Sequence, residues 1–593
     1  MINTTFYLNQ HINKIILFSV IFFISHWFLY HFIFQINVPY GFDYFSIDLV
    51  YDFHRTGIFP VQELITPYSS HILLFPYLIM FPNLVLNSFD VVNMYYLQLL
   101  PFTGTLFISY LLVKKTNSKI LYTIIPISAI IFSPLITSSQ HVFPIWQFII
   151  PQLSIIFVIF LFNKKCINTK IFIFGIILAV ISTFSSTFGI VIWIAGIFGL
   201  LNFNSTTKKF IGKKWLLLWI MGMIICGIIY YESFNQEQLP QIGKTSPLSL
   251  EGLSFITVFL STAFRLKFDL LLNLVGIFSI SLSIICAIYF VKIKKFESVK
   301  PWFNFIIVGI SSAVVAQLGR GHLDLHAGNE TYYIHFSQFF QIGLLVLLAM
   351  MIFNLKLNTK SNRTKLIIKI LILIIISQSL LLIPSYYAAW ERGEHYFDWK
   401  EIFMNCFSLN PNPNCDKDYG KPLSLETGLN HKMFYYFFEN KYSFFNDDSF
   451  QKNNLEIIQN NTEILSKNLK SEIGLGKIEK INNFSLLENV YYVDISSPIK
   501  ISGWFVDKNL DELDNVYLFL NNKPLIEFNQ SELNNYQYED SDKVFHNISE
   551  WSVSFFSGYL KNDCSKINIV ALKDNLKINF NQEIELCKND SFE

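Results

Sequence analysis

The chain has 593 residues, of which 52% are hydrophobic, 17% aromatic and only 15% charged, a balance far from that of a soluble globular protein. Its 45 Lys and Arg against 44 Asp and Glu give a formal net charge of +1, which offers no global argument for a polyanionic partner, and no basic run with interleaved aromatics points to nucleic acid. Such a composition calls for several bilayer spans.

In chain order, Ile15 to Phe34 is an apolar run of 20 residues, long enough at 1.5 Å per residue to cross roughly 30 Å of hydrocarbon. No small-residue cleavage site follows it, so it reads as a retained anchor. The next stretch, Asp43 to His71, concentrates carboxylates, two histidines and an arginine beside a membrane surface, where polar groups are expensive without a role. Ile72 to Leu86 carries Pro76 and Pro82 and suits a re-entrant or interfacial helix. Further spans are expected at Val92 to Val113, Ile120 to Ile136, Ile145 to Phe162, Trp215 to Tyr231, Phe268 to Val291, Trp302 to Leu318, Ile334 to Leu355 and Leu366 to Ile383.

The run Ile171 to Leu201 is too long for one helix and too short for two ordinary ones, with Ser185-Ser186-Thr187 and Gly189 at its middle. It reads as two short helices meeting at a polar bend that faces the site, because broken helices are tolerated only against protein or a water-filled cavity. Counting that pair as two crossings, the expectation is about 11 crossings.

Lys and Arg collect in alternate loops, such as Lys114, Lys115 and Lys119, and Lys208, Lys209, Lys213 and Lys214, which places those loops in the cytoplasm by the positive-inside rule. The N-terminus is then cytoplasmic and the tail extracytoplasmic. Cysteines agree with this. Cys406, Cys415, Cys564 and Cys587 all follow the last span, and pairing by proximity joins Cys406 to Cys415 and Cys564 to Cys587, although four cysteines allow three connectivities.

The expected domains are a transmembrane part over 1–385, a mixed or helical extracytoplasmic region over 386–498, and an all-β sandwich over 499–593. The last rests on seven alternating runs, KISGWFVD, NVYLFLNN, KPLIEF, WSVSFFSGYL, INIVAL, KINF and EIELC, separated by turn residues. Exposed tryptophans there, Trp504 or Trp551, could bind carbohydrate, although core packing explains them as well.

A second polar concentration, GRGHLDLHAGNETYYIH from Gly319 to His335, lies between two spans. Arg320 between two glycines can bring a planar fork to a phosphate, with His322, Asp324, His326 and Glu330 as further titratable groups. The histidines lack tight metal spacing, so no cofactor is expected, with a divalent metal possible but not signalled.

The layout resembles membrane glycosyltransferases of the GT-C type: an entering first helix, an acidic first outer loop, many spans with short broken ones, and a trailing extracytoplasmic domain. Within that group it resembles a bacterial set with the pattern Asp-x-Trp, His-Asn-Glu-His-Arg, Gly-Arg-x-Gly and Ser-Arg-Tyr. At the matching places stand Asp43-Tyr44-Phe45, Tyr68-Ser69-Ser70-His71-Ile72, Gly319-Arg320-Gly321 and Glu330-Thr331-Tyr332. The glutamate is replaced by Ser70 and two arginines by Ile72 and Thr331. The resemblance implies transfer of a sugar from a polyprenyl-phosphate donor to a glycan, lipid or protein acceptor outside the cytoplasm. Asp43 would serve as base with Asp48 as deputy, and Arg320 would hold the leaving phosphate, helped by His71, His322, Asp324 and Tyr332. The alternatives are a lipid or polysaccharide transporter or flippase, and an inactive membrane-anchored glycan-binding protein.

Overall fold

In the computed structural model the described residues are 2–35, 53, 56–59, 61–66, 71–87, 89–90, 92–136, 146–164, 167–204, 209–211, 213–233, 246–266, 268–320, 328–357 and 361–406, with the strand residues between 470 and 588. They fall into two compact units, one formed by the helices up to Tyr396 and one holding the strands. The division lies inside the helix Leu382–Cys406, beyond the boundary expected at residue 385. Pro384 sits in the first turn of that helix, where a missing N–H breaks no bond, so the chain stays helical past the apolar run.

The first unit is helical, apart from one short antiparallel pair, Asn202–Asn204 with Lys209–Ile211. Among the described residues, seven segments are long and apolar enough to cross a membrane: Ile12–Phe34, Val92–Ile136, Lys213–Glu232, Asp269–Lys292, Phe296–Arg320, Thr331–Leu357 and Asn362–Glu394. Five shorter apolar helices accompany them, Leu74–Leu86, Trp146–Phe162, Thr169–Thr183, Thr187–Leu200 and Leu250–Phe264. Sequence reading missed the last of these, since Glu251, Gly252 and Ser254 dilute its hydropathy. It is nonetheless marked at its start by Ser249, whose side chain accepts from the Gly252 N–H at 3.0 Å as an N-cap.

Burial sorts these helices. The Thr331–Leu357 window is 94% buried within the protein, whereas Ile12–Phe34 and Lys213–Glu232 are 22% and 17% buried, so the first is the hub and the others present apolar faces outward. The hub packs closely on Phe296–Arg320 because Gly309 has no side chain: a β-carbon there would meet Phe340 Cβ at 2.6 Å. Polar groups tie the hub to its neighbours. Gln341 Nε2 donates to the Leu260 carbonyl at 2.7 Å, and His335 Nδ1 lies 2.8 Å from Gln152 Oε1. In apolar surroundings such bonds fix which helices meet more than they add stability.

In the second unit, eleven strands are described. Every one of the seven alternating runs contributes to a strand, and four more strands, Lys470–Ile481, Phe484–Ser485, Val490–Val493 and Asn534–Asp540, were not evident because they are short or rich in Lys, Gly, Asn and Asp. The strand region thus begins at Lys470, ahead of the expected 499. Lys470–Ile481 links two groups of strands, pairing parallel with Leu576–Phe580 and antiparallel with Ile499–Val506. Ile499–Val506 pairs in turn with Lys543–Phe555, where Trp504 stands opposite Glu550 and Trp551 opposite Gly503. Cys564 and Cys587 face each other in register on adjacent antiparallel strands and form a disulfide. Cys415 lies outside the described residues, as does Cys166; Cys226 and Cys286 are buried free thiols.

Candidate functional site

Three elements of the helical unit bring together His71, Arg320 and Tyr332. The first is the bend between Thr169–Thr183 and Thr187–Leu200. Ser186 ends the break by capping the next turn, accepting from the Phe188 N–H at 3.3 Å. Gly189 lets the two arms close, with Ser182 Oγ donating to the Gly189 carbonyl at 3.1 Å. The bend presents Thr187 to His71, whose Nδ1 accepts from the Thr187 N–H at 3.3 Å and lies 2.9 Å from the Thr187 hydroxyl. Because a backbone N–H only donates, Nδ1 carries no proton and the neutral ring is protonated on Nε2. Thr187 Oγ1 is in turn 3.0 Å from the Tyr230 hydroxyl.

His71 is partly buried, and burial, followed by the nearby positive charge of Arg320, holds its pKa down at about 4. The imidazole is therefore neutral at physiological pH, a donor without charge beside a cation.

Arg320 ends the helix Phe296–Arg320, is exposed, and donates through Nη1 to the Tyr332 hydroxyl, with its guanidinium carbon 5.4 Å from the Tyr332 ring centre. Tyr332 is held from behind by a parallel column of rings: Phe148 at 5.3 Å, then His335 at 5.9 Å from Phe148, then Phe102 at 6.1 Å from His335. These stacks seat the tyrosine rigidly, so the arginine that leans on it keeps one orientation.

The segment Gly328 to Tyr332 is anchored almost residue by residue from other elements. Thr262 Oγ1 donates to the Gly328 carbonyl at 3.2 Å, Arg265 Nη1 donates to the Asn329 carbonyl, and Arg392 Nη1 donates to Thr331 Oγ1 at 3.0 Å. Arg265 closes the helix Leu250–Ser261 and its 3-10 extension in the left-handed region, φ 40°, an uncommon conformation for a non-glycine residue. Burial, and then the charge of Arg392, pull its pKa down to about 10, against the opposing pull of Glu330 and Asp269.

Of the residues singled out from sequence, His71, Arg320 and Tyr332 thus converge. Asp43, Asp48, His322 and Asp324 lie outside the described residues. Thr187 was legible in the sequence only as part of the polar bend and not as the partner of His71, Tyr230 reads as part of an ordinary span, and Arg392, just past the last span, reads as an interfacial anchor. Among the described residues no group of three or more His, Cys, Asp or Glu could hold a metal.

What the arrangement offers chemically is an exposed guanidinium fixed on a stacked tyrosine, next to a neutral histidine. That combination suits a phosphate, which takes a planar cationic fork and neutral donors. Comparison of the chain with family models, with curated proteins and with solved structures returns no match.

Proposed function

We propose that this protein is a membrane glycosyltransferase that takes a sugar from a polyprenyl-phosphate donor and transfers it to a glycan, lipid or protein acceptor. The observation that carries the reading is Arg320, exposed and seated on Tyr332 near neutral His71, which is held at the bend of a short broken helix pair. In the reaction Arg320 stabilises the negative charge that develops on the departing phosphate, and the His71 imidazole donates to it without altering its own charge. Asp43, read from sequence alone, accepts the acceptor hydroxyl proton. The short apolar helices Leu74–Leu86 and Thr187–Leu200, of the kind that line cavities in membrane proteins, would form the wall of the cavity that takes the lipid. The Cys564–Cys587 disulfide supports an extracytoplasmic strand region; a β-sandwich there and about 11 crossings for the helical part remain expectations from the sequence.

The test is release of polyprenyl phosphate from a panel of polyprenyl-phosphate monosaccharides in liposomes holding the purified protein, with a cell-envelope extract as acceptor source. The expected result is release by the native protein and its loss in Asp43→Asn and Arg320→Ala. Release that persists in Arg320→Ala, or that is absent from the native protein for every donor, overturns the reading.

A flippase is the second reading, favoured by the buried pair His335 and Gln152 inside the bundle. Transbilayer movement of a fluorescent polyprenyl phosphate, without sugar release, would distinguish it.

A further inference from the structure

Three arginines from three separate elements bear on one short segment. Arg320 reaches Tyr332, Arg392 reaches Thr331, and Arg265 reaches the Asn329 carbonyl. A single phosphate engaged by Arg320 leaves the other two guanidiniums without a role in the function proposed above. Arg392 acts on Arg265 as a neighbouring like charge, and Glu330 and Asp269 are the carboxylates that act on it the other way. Each arginine has five N–H donors in a fixed fork. A hydroxyl and a carbonyl engage only part of that capacity, and with Arg320 the segment meets three guanidiniums against the two carboxylates Glu330 and Asp269, a surplus of one positive charge.

We propose that Arg265 and Arg392 form a second anion-binding point, separate from Arg320 and on the same Asn329–Tyr332 segment, which takes a second phosphate group. The inference rests on the reading of Arg320 as a phosphate ligand and sharpens it: the ligand presents two phosphates to the segment, one at Tyr332 and one at Thr331. The second phosphate comes either from the same lipid, as a polyprenyl diphosphate, or from the headgroup of a neighbouring anionic lipid. Thr331 is central to this arrangement because its hydroxyl accepts from Arg392 and so orients that fork.

The experiment measures binding of polyprenyl monophosphate and polyprenyl diphosphate to the full chain in phosphatidylcholine nanodiscs, and of the monophosphate again in nanodiscs containing phosphatidylglycerol. Native protein should bind diphosphate about ten- to a hundredfold more tightly than monophosphate, the range expected for one charge-assisted contact, or should gain a similar factor for monophosphate from phosphatidylglycerol. Arg392→Gln should lower diphosphate binding, or monophosphate binding with phosphatidylglycerol, about tenfold or more beyond whatever it does to monophosphate in phosphatidylcholine, and Arg392→Lys, which keeps the charge but not the fork, should restore part of that difference. Loss of the diphosphate preference identifies the same lipid as the source; loss of the phosphatidylglycerol effect identifies the headgroup. Equal affinity in all three conditions overturns the proposal, as does a loss in Arg392→Gln that is the same for every ligand. Arg320→Ala serves as the separate control. If it leaves monophosphate binding intact, the reading of Arg320 fails, while the gain that depends on Arg392 still stands or falls on its own measurement.

Discussion

Gly189 lies so close to Ser182 that a β-carbon added to it would meet the Ser182 carbonyl oxygen at 1.7 Å and its carbonyl carbon at 2.3 Å. The obstacle is backbone, which cannot rotate aside as the end of a side chain could. The Ser182–Gly189 approach is what folds the helix pair back at Ser185 and Ser186 and delivers Thr187 to His71. Gly189→Ala should therefore destabilise the helical unit by about 3 kcal/mol, the upper part of the range for overpacking, and should weaken polyprenyl-phosphate binding. Thermal unfolding in detergent is the measurement, and a midpoint equal to that of the native protein would contradict this account of the bend.

The strand unit gives a prediction that leaves the helical unit out. Cys564 and Cys587 are 23 positions apart and bridge neighbouring strands, so their link limits the unfolded chain more than it changes the folded one. The double substitution Cys564→Ser with Cys587→Ser should lower the stability of this unit by about 2 to 5 kcal/mol, the usual range for a native disulfide. Limited proteolysis should then cut between residues 470 and 588 faster than in the native chain, with the helical fragment cut at its native rate. No change in cleavage would mean that the eleven described strands hold without the bridge.

How much of this was legible beforehand follows from the physics of each part. Long apolar runs announce membrane helices because hydrocarbon thickness sets their length, and each of the seven that qualify among the described residues overlaps an expected span; the expected number was about 11, with Val92–Ile136 read as two spans and Trp146–Phe162 as a full one. The bend at Ser185–Thr187 was visible too, as a cluster of small polar residues in the middle of an apolar run. Leu250–Ser261 was not, since a half-buried helix capped by Ser249 needs no continuous hydropathy. For the site, Arg320 and His71 stood out because charged and titratable groups are rare beside spans, whereas Arg392, 72 positions after Arg320 in the chain, acquires its meaning only through contact with Thr331. Long-range partnership between helices leaves no local trace in sequence, and that is why Thr187, 116 positions from His71, was read as a bend and not as its partner.

His71 predicts the direction of acid sensitivity. Its pKa is held down at about 4 in the folded protein against an ordinary 6.5, so between those values the unfolded chain binds a proton that the folded one refuses. Stability contributed by the neutral ring is present above pH 6.5, falls as pH drops through that window, and levels off below about pH 4. The loss from this group is at most about 3 kcal/mol, given 1.36 kcal/mol per unit. His71→Asn keeps an acceptor for the Thr187 N–H and removes the titration. Its melting temperature should decline less between pH 6.5 and pH 4 than that of the native protein, and an equal decline would assign the acid sensitivity elsewhere.

Arg320 carries the last prediction. Its guanidinium meets Tyr332 by hydrogen bond and lies close to the ring, and Tyr332 in turn is fixed by the Phe148 stack, so charge and orientation can be separated by substitution. Arg320→Ala removes both. A hydrogen bond to a charged group contributes about 1.5 to 3 kcal/mol, so affinity for polyprenyl monophosphate in nanodiscs should fall by about ten- to a hundredfold. Arg320→Lys keeps a charge but replaces the planar fork by a point donor, and should recover only part of the loss. Tyr332→Phe keeps the arginine and the ring column and deletes only the hydroxyl, so the charge persists while its orientation loosens. Its effect on affinity should be smaller than that of Arg320→Ala, about threefold to tenfold for a net hydrogen bond of roughly 1 kcal/mol. Because the phosphate charge grows as the sugar departs, Tyr332→Phe should lower turnover more than affinity. If Tyr332→Phe instead weakened binding as much as Arg320→Ala and left turnover per bound donor unchanged, the tyrosine hydroxyl itself, and not the arginine it orients, would be the phosphate ligand.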